Sequence, residues 1–222
     1  GTGPGVRGEK AAGKVLPSYA ARMPHTRSGG PTTRIAPATP LQHAGALLRA
    51  GRVREASAAL SALTADPPRG HIERAGLLAA RAEVLVGRGD LTTAATLVGP
   101  LLELVTVPGP SGQAGAAVAH HALGELAAAA GDVDSSVEHH ARVGVLAPGA
   151  DPEQLPWRAN QALALARARR GDDAARQARA HLRVGRAVGS AYAVAHGLRA
   201  LATVSPTVDG AALLEEARDA LG

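Results

Sequence analysis

Four histidines occur as two adjacent pairs, His120-His121 and His139-His140, and Glu125 follows His121 by four residues. Imidazole nitrogens with a carboxylate are donors of zinc-type centres, and imidazole is also the side chain that titrates near neutral pH. A metal centre needs three or four converging donors, each held by further partners. Counted from Gly131, His120 lies eleven residues before and His140 nine after, places that could face each other across a helical hairpin. We read these residues as histidines of an amphipathic interface, with pH dependence as their livelier use, and expect no metal. Arg176, Arg179, Arg183 and Arg186 are spaced by 3, 4 and 3, so one helical face carries all four. Such a stripe could contact an anion or an acidic partner, although a solvated outer face is the expected use.

No nucleophile motif is present. Ser57, Ser61, Ser111 and Ser205 lie outside any G-x-S-x-G elbow. Asp132, Asp134 and Glu138 surround an expected helix start, where capping accounts for them. The stretch GEKAAGKV, Gly8 to Val15, fits G-x-x-x-x-G-K but puts Val15 where Ser or Thr must ligate magnesium, and no buried strand precedes it. The chain is therefore expected to be non-enzymatic and without a cofactor.

The elements that carry these residues follow from composition. Ala, Leu and Val supply nearly all of the 45% hydrophobic content, Phe is absent and aromatics make up 1%. Ala and Leu favour helices, whereas strands recruit β-branched and aromatic residues, so an all-α chain is expected. Without cysteine, disulfides and zinc–thiolate sites are excluded. No apolar run reaches the length of a membrane span, and no signal peptide opens the chain, which points to a cytoplasmic protein without a membrane partner. The net charge of +5 is read as a basic but non-specific surface, because aromatics for base stacking are lacking. Residues 1–40, rich in Gly, Pro, Ser and Thr, read as a disordered basic tail or linker.

From residue 41 to 222 the chain repeats. ALLRAGRVREASAAL, EVLVGRGDLTTAATL, ELAAAAGDVDSSVEH and ALARARRGDDAARQA align on Gly51, Gly89, Gly131 and Gly171, a period of 38 to 42 residues. Each Gly is expected to stop a helix in the left-handed conformation. Small residues stand seven before (Ala44, Ala82, Gly124, Ala164) and five after (Ala56, Ala94, Ser136), where they let paired helices approach; the fourth repeat has Ala175 one place early. The spacing predicts hairpins over 41–50 with 53–65, 71–87 with 90–105, 113–130 with 133–146, 155–170 with 172–188, and 190–203 with 209–221. The expected fold is an all-α, tetratricopeptide-like superhelical solenoid of about five helical hairpins.

The C-terminal third resembles the helical-repeat region of the large ATP-binding LuxR-type transcriptional regulators. The residues that carry the resemblance are Pro156-Trp157-Arg158, Gly171-Asp172, Ala175-Arg176, Arg186 to Gly189, Gly197-Leu198-Arg199-Ala200-Leu201, and Gly210 to Leu221. Trp157 looks like a family marker, placed three residues before the tetratricopeptide Trp position that Asn160 occupies, and is expected to wedge between hairpins. Those regulators carry a P-loop ATPase module before the repeats and a helix-turn-helix after them, and neither is found in these residues. The resemblance implies a sensing and coupling segment that takes a protein, peptide or small effector on its concave face, without direct DNA contact. A stand-alone tetratricopeptide-type adaptor is the alternative.

Overall fold

The computed structural model describes residues 39–205 and 209–222. The Gly8–Val15 stretch and nearly all of the 1–40 tail lie outside these residues. The described residues are all-α, with no strand. In order they form α1 (Pro40–Arg49), α2 (Val53–Ala65), α3 (His71–Gly87), α4 (Leu91–Ala95), α5 (Val98–Leu104), α6 (Pro110–Ala130), α7 (Val133–Leu146), α8 (Trp157–Arg167), α9 (Gly171–Val188), α10 (Ala191–Val204) and α11 (Gly210–Leu221). Among them no helix is long and apolar enough to cross a membrane.

The helices pack in two rows. In the first, α1 meets α3, α3 meets α6, α6 meets α8 and α8 meets α10. Helices α2, α5, α7 and α9 each lie against the two first-row helices that flank them in the chain, and α11 lies against α10. Alanine makes these approaches close: Ala44, Ala56, Ala75, Ala119, Ala159, Ala162, Ala174, Ala178, Ala193 and Ala200 have no accessible surface. Leucines fill the remaining space, with Leu101 and Leu198 fully enclosed. The first row is strongly curved. At about 9 Å between neighbouring axes, a flat row would put α1 and α10 about 36 Å apart. Instead Glu153, between α7 and α8, takes Arg49 of α1 at 3.1 Å and the Ser190 hydroxyl that caps α10 at 2.8 Å.

The start of α1 reaches back into the stretch read as tail. Thr39 and Gln42 form a reciprocal capping box and Pro40 takes the first helical position, a signal present in the sequence TPLQ. The single helix expected over 90–105 is two, α4 and α5, joined through Thr96 and Leu97. Pro100 accounts for the break: it cannot donate to the carbonyl of Thr96, and its ring crowds that carbonyl.

One turn differs in kind. Gly51, Gly89 and Gly131 are left-handed, with φ of 71°, 74° and 83°. Gly171 is not; it is the first residue of α9, and the left-handed residue of the fourth turn is Arg169, φ 60°. The hydrogen bonds give the register. The amides of Arg52, Asp90, Asp132 and Arg170 bond the carbonyls of Leu47, Leu85, Ala127 and Leu165, the same six-to-one closure in each turn. Counted from Arg169, the small residue seven before is Ala162 rather than Ala164, and the one five after is Ala174 rather than Ala175. Both are fully buried, so nothing is deleted from this repeat. The helix starts also pair off. Asp90 and Asp132 accept from the amides of Thr93 and Ser135, while Arg52 and Arg170 occupy the same place and bind Glu55 and Asp173 three residues on. Arg169→Gly removes the left-handed strain of a residue with a Cβ, and the expected result is a gain of about 0.5–1 kcal/mol in urea unfolding. Gly131→Ala should lose a similar amount.

Candidate functional site

The inner face of the curved row gathers side chains far apart in sequence: Arg49 from α1, Glu83 from α3, His121 and Glu125 from α6, Asn160 from α8, and Tyr192, His196 and Arg199 from α10. Glu125 is their centre. Its Oε1 accepts 2.7 Å from the Asn160 side-chain amide, and Nε2 of His140 stands 3.2 Å from the same oxygen. That imidazole is too poorly aligned for a regular hydrogen bond, and both of its nitrogens are buried without a partner. The Glu125 side chain remains 40% accessible, so the centre is open to solvent on the inner face.

His140 belongs to the second row yet reaches this face. The reason is local: counted from the left-handed residue of each turn, it occupies the position that is Leu60 in the first hairpin and Ala178 in the fourth, which are core positions. Gly124, where other hairpins carry Ala44, Ala82 and Ala162, leaves the room its ring needs. A Cβ on Gly124 would stand 2.7 Å from that ring. The ring is fully buried and packs 5.6 Å from the His121 ring. His121, Glu125 and His140 offer donor atoms that all lie within 4.8 Å of one another.

The electrostatics separate these groups. Burial alone would raise the Glu125 carboxyl, but the His140, His121 and His196 imidazoles outweigh it and hold it at about 2. Burial drives His121 down to about 4, against the pull of Glu125. His196 falls to about 3 through burial and then the charge of Arg199, with which it also has a 3.0 Å contact. Glu83 moves the other way, raised by desolvation among its neighbours although its side chain stays exposed, and next by the Glu125 charge, with Arg49 opposing. Tyr192 is raised by burial and by Glu83. At neutral pH the ionised Glu125 carboxylate therefore stands beside neutral His121 and His196 rings.

The histidine pairs differ in register from the expected facing of His120 and His140. His120 faces His139, Nδ1 to Nδ1 at 3.0 Å, and His121 faces His140. The outer pair lies with Val105, Glu138, Arg142 and Leu146 around an open depression on the other side of the hairpin. Each helix turns its two consecutive histidines to different sides, so one pair serves the inner face and the other does not.

Trp157 sits between hairpins, 7% exposed, against Ala117 of α6 and Val143 of α7. Its ring lies over Gly144, where a Cβ would stand 2.5 Å away, and the Arg158 guanidinium stacks 4.2 Å from its centroid. The arginine stripe is exposed on α9. Arg176 binds Asp173, Arg186 binds Glu216 at 2.7 Å, and Arg179, Arg183 and Arg186 ring a shallow depression over Leu182. The stripe is remote in kind from the inner face, being open and already half neutralised by its own carboxylates. Glu83, Asn160, Tyr192 and His196 were not among the candidates drawn from sequence. The signal for the centre was the departure at two repeat positions together, Gly124 for Ala and His140 for an apolar residue. Comparison with family models, with curated proteins and with solved structures finds no match, so the site is defined by its own residues alone.

Proposed function

We propose that the chain is a non-enzymatic receptor segment, a tetratricopeptide-like superhelical solenoid that takes a small effector or peptide in the groove of its first-row helices. The observation that carries this is the convergence of polar side chains from five first-row helices on one curved face, around an ionised, accessible carboxylate. A globular core gains nothing from such a face, because each buried nitrogen without a partner costs desolvation. Partly wet polar groups fixed by the hairpins are suited to orienting a ligand. On this reading the ligand spans several hairpins, and its binding biases the curvature of the row.

We further propose that the segment couples this binding within a LuxR-type transcriptional regulator. Support comes from the ordered run of Pro156-Trp157-Arg158 through Leu221, which carries α8 to α11. The same gene is then expected to encode a strand–P-loop–helix before these residues and a helix-turn-helix after them. Reading the frame on both sides tests it; stop codons close to both ends leave the adaptor.

A ligand search by thermal shift, with peptides and small metabolites, tests the groove. A true ligand at 100 times its Kd raises stability by about 2.7 kcal/mol, and Glu83→Gln or Asn160→Ala should weaken it. A ligand indifferent to both changes but lost on Arg179→Ala with Arg183→Ala would move the binding surface to the outer stripe. If that ligand is a nucleic acid, its affinity should also fall steeply with salt.

A further inference from the structure

We propose that His121, Glu125 and His140 form a mononuclear site for a zinc-class divalent cation, open on one side to the groove. The proposal is independent of the receptor reading and stands on donor geometry. Tetrahedral donors about 2.1 Å from a zinc ion lie about 3.4 Å from one another. The His140 Nε2 to Glu125 Oε1 separation, 3.2 Å, already has this length, and all three donors fall within 4.8 Å. Closing the remainder takes side-chain adjustment of about 1 Å, within rotamer freedom.

The unpartnered nitrogens point to a ligand. His140 has no accessible surface, and neither ring nitrogen has a hydrogen-bond partner. Nδ1 of His121 is also buried and unpartnered. A core histidine normally satisfies at least one nitrogen, since leaving one bare in the interior is costly. Here two facing rings leave nitrogens bare beside a carboxylate, and a cation would take one nitrogen from each ring. The neutral imidazole and the ionised carboxylate are the ligating forms.

Two features support the donors. Asn160 donates to Oε1 of Glu125 from the neighbouring hairpin and fixes the carboxylate, as outer partners do at metal centres. Gly124 admits the His140 ring. Two imidazoles and one carboxylate suit zinc, cobalt or nickel, whereas calcium and magnesium prefer all-oxygen sets. The accessible side of Glu125 leaves a coordination position for solvent or a ligand atom.

The test is titration of the full chain, freed of metal by chelator, with zinc chloride by calorimetry and with cobalt chloride by visible absorption. The expected result is one equivalent per chain, with the strong visible bands of four-coordinate cobalt. Glu125→Gln and His140→Leu should each weaken zinc at least about 100-fold, and Asn160→Ala about 10-fold. His140→Leu takes the residue found at the same repeat position in the first hairpin, and circular dichroism verifies its fold. His120→Ala with His139→Ala should bind as the parent does. The proposal is overturned if the parent chain takes up no stoichiometric zinc, or if Glu125→Gln and His140→Leu both retain it. It is equally overturned if binding is lost only with His120 and His139, which assigns the ion to the outer pair.

Discussion

Trp157→Ala lowers the unfolding free energy by about 3–5 kcal/mol, the range for emptying a buried aromatic site. The ring is the largest object between the third and fourth hairpins and contacts both helices of the third, at Ala117, Val143 and Gly144. None of these small neighbours can swing in to fill the void, so the cavity stays open. Trp157→Phe should cost less, since Nε1 is buried without a partner and its loss removes a desolvated donor. Gly144→Ala provides the converse test. Its Cβ would stand 2.5 Å from the ring, an overlap that costs about 1–3 kcal/mol. In the Trp157→Ala background that overlap is gone, so the double variant should be more stable than the sum of the singles, by roughly the overlap energy. Urea unfolding of the four chains measures the coupling. Strict additivity would mean that the ring does not lie on Gly144.

What sequence could reveal divides along physical lines. Alanine at close helix crossings and glycine in left-handed turns are requirements of the chain itself, so the hairpins and most of their boundaries could be drawn. The fourth turn escaped because Arg169 tolerates the left-handed region there, while the nearby Gly171 offered a false anchor. The break at Thr96 was written in Pro100, which stands in the interior of the helix expected over 90–105, where a proline opens the chain of hydrogen bonds. The inner face was hidden for a different reason. Glu83, Glu125, Asn160 and His196 stand on four helices, and only the curvature of the row brings them together. That curvature rests on pair contacts such as Arg49 with Glu153, which no local spacing announces. The histidines were visible, but consecutive residues on a helix point about 100° apart, and a small register error exchanges their partners.

Acidification should unfold the metal-free chain well before its carboxylates are protonated in bulk. His181 and His196 face each other at 5.8 Å between α9 and α10, and each has a buried nitrogen without a partner. Burial and then Arg158 of α8 bring His181 to about 4, a backbone group of Ala193 opposing. His196 faces His121 and Glu125 of α6, with Arg199 and Tyr192 on its own helix, and lies at about 3. An unfolded histidine titrates near 6.5. Above that value both states are neutral and the full stability is present. Below it the unfolded chain binds protons that the native chain refuses, and stability falls by about 1.4 kcal/mol per pH unit for each such histidine, until pH drops through the native values. The two together remove about 5 kcal/mol between pH 6.5 and 4.5, comparable with the whole stability of a modest domain. His121 acts in the same direction. Glu125, also depressed, contributes stability that persists above the ordinary carboxylate range and is lost only as pH falls toward 2, so it cannot account for a loss that begins near pH 6. Urea midpoints measured in chelator from pH 7.5 to 4.5 should therefore decline from about pH 6.5. His196→Gln, which keeps polarity without a titrating ring, should flatten the slope by about 1.4 kcal/mol per pH unit. A midpoint that stays level to pH 5 would mean that these rings take up protons in the native state and that their burial does not hold them neutral.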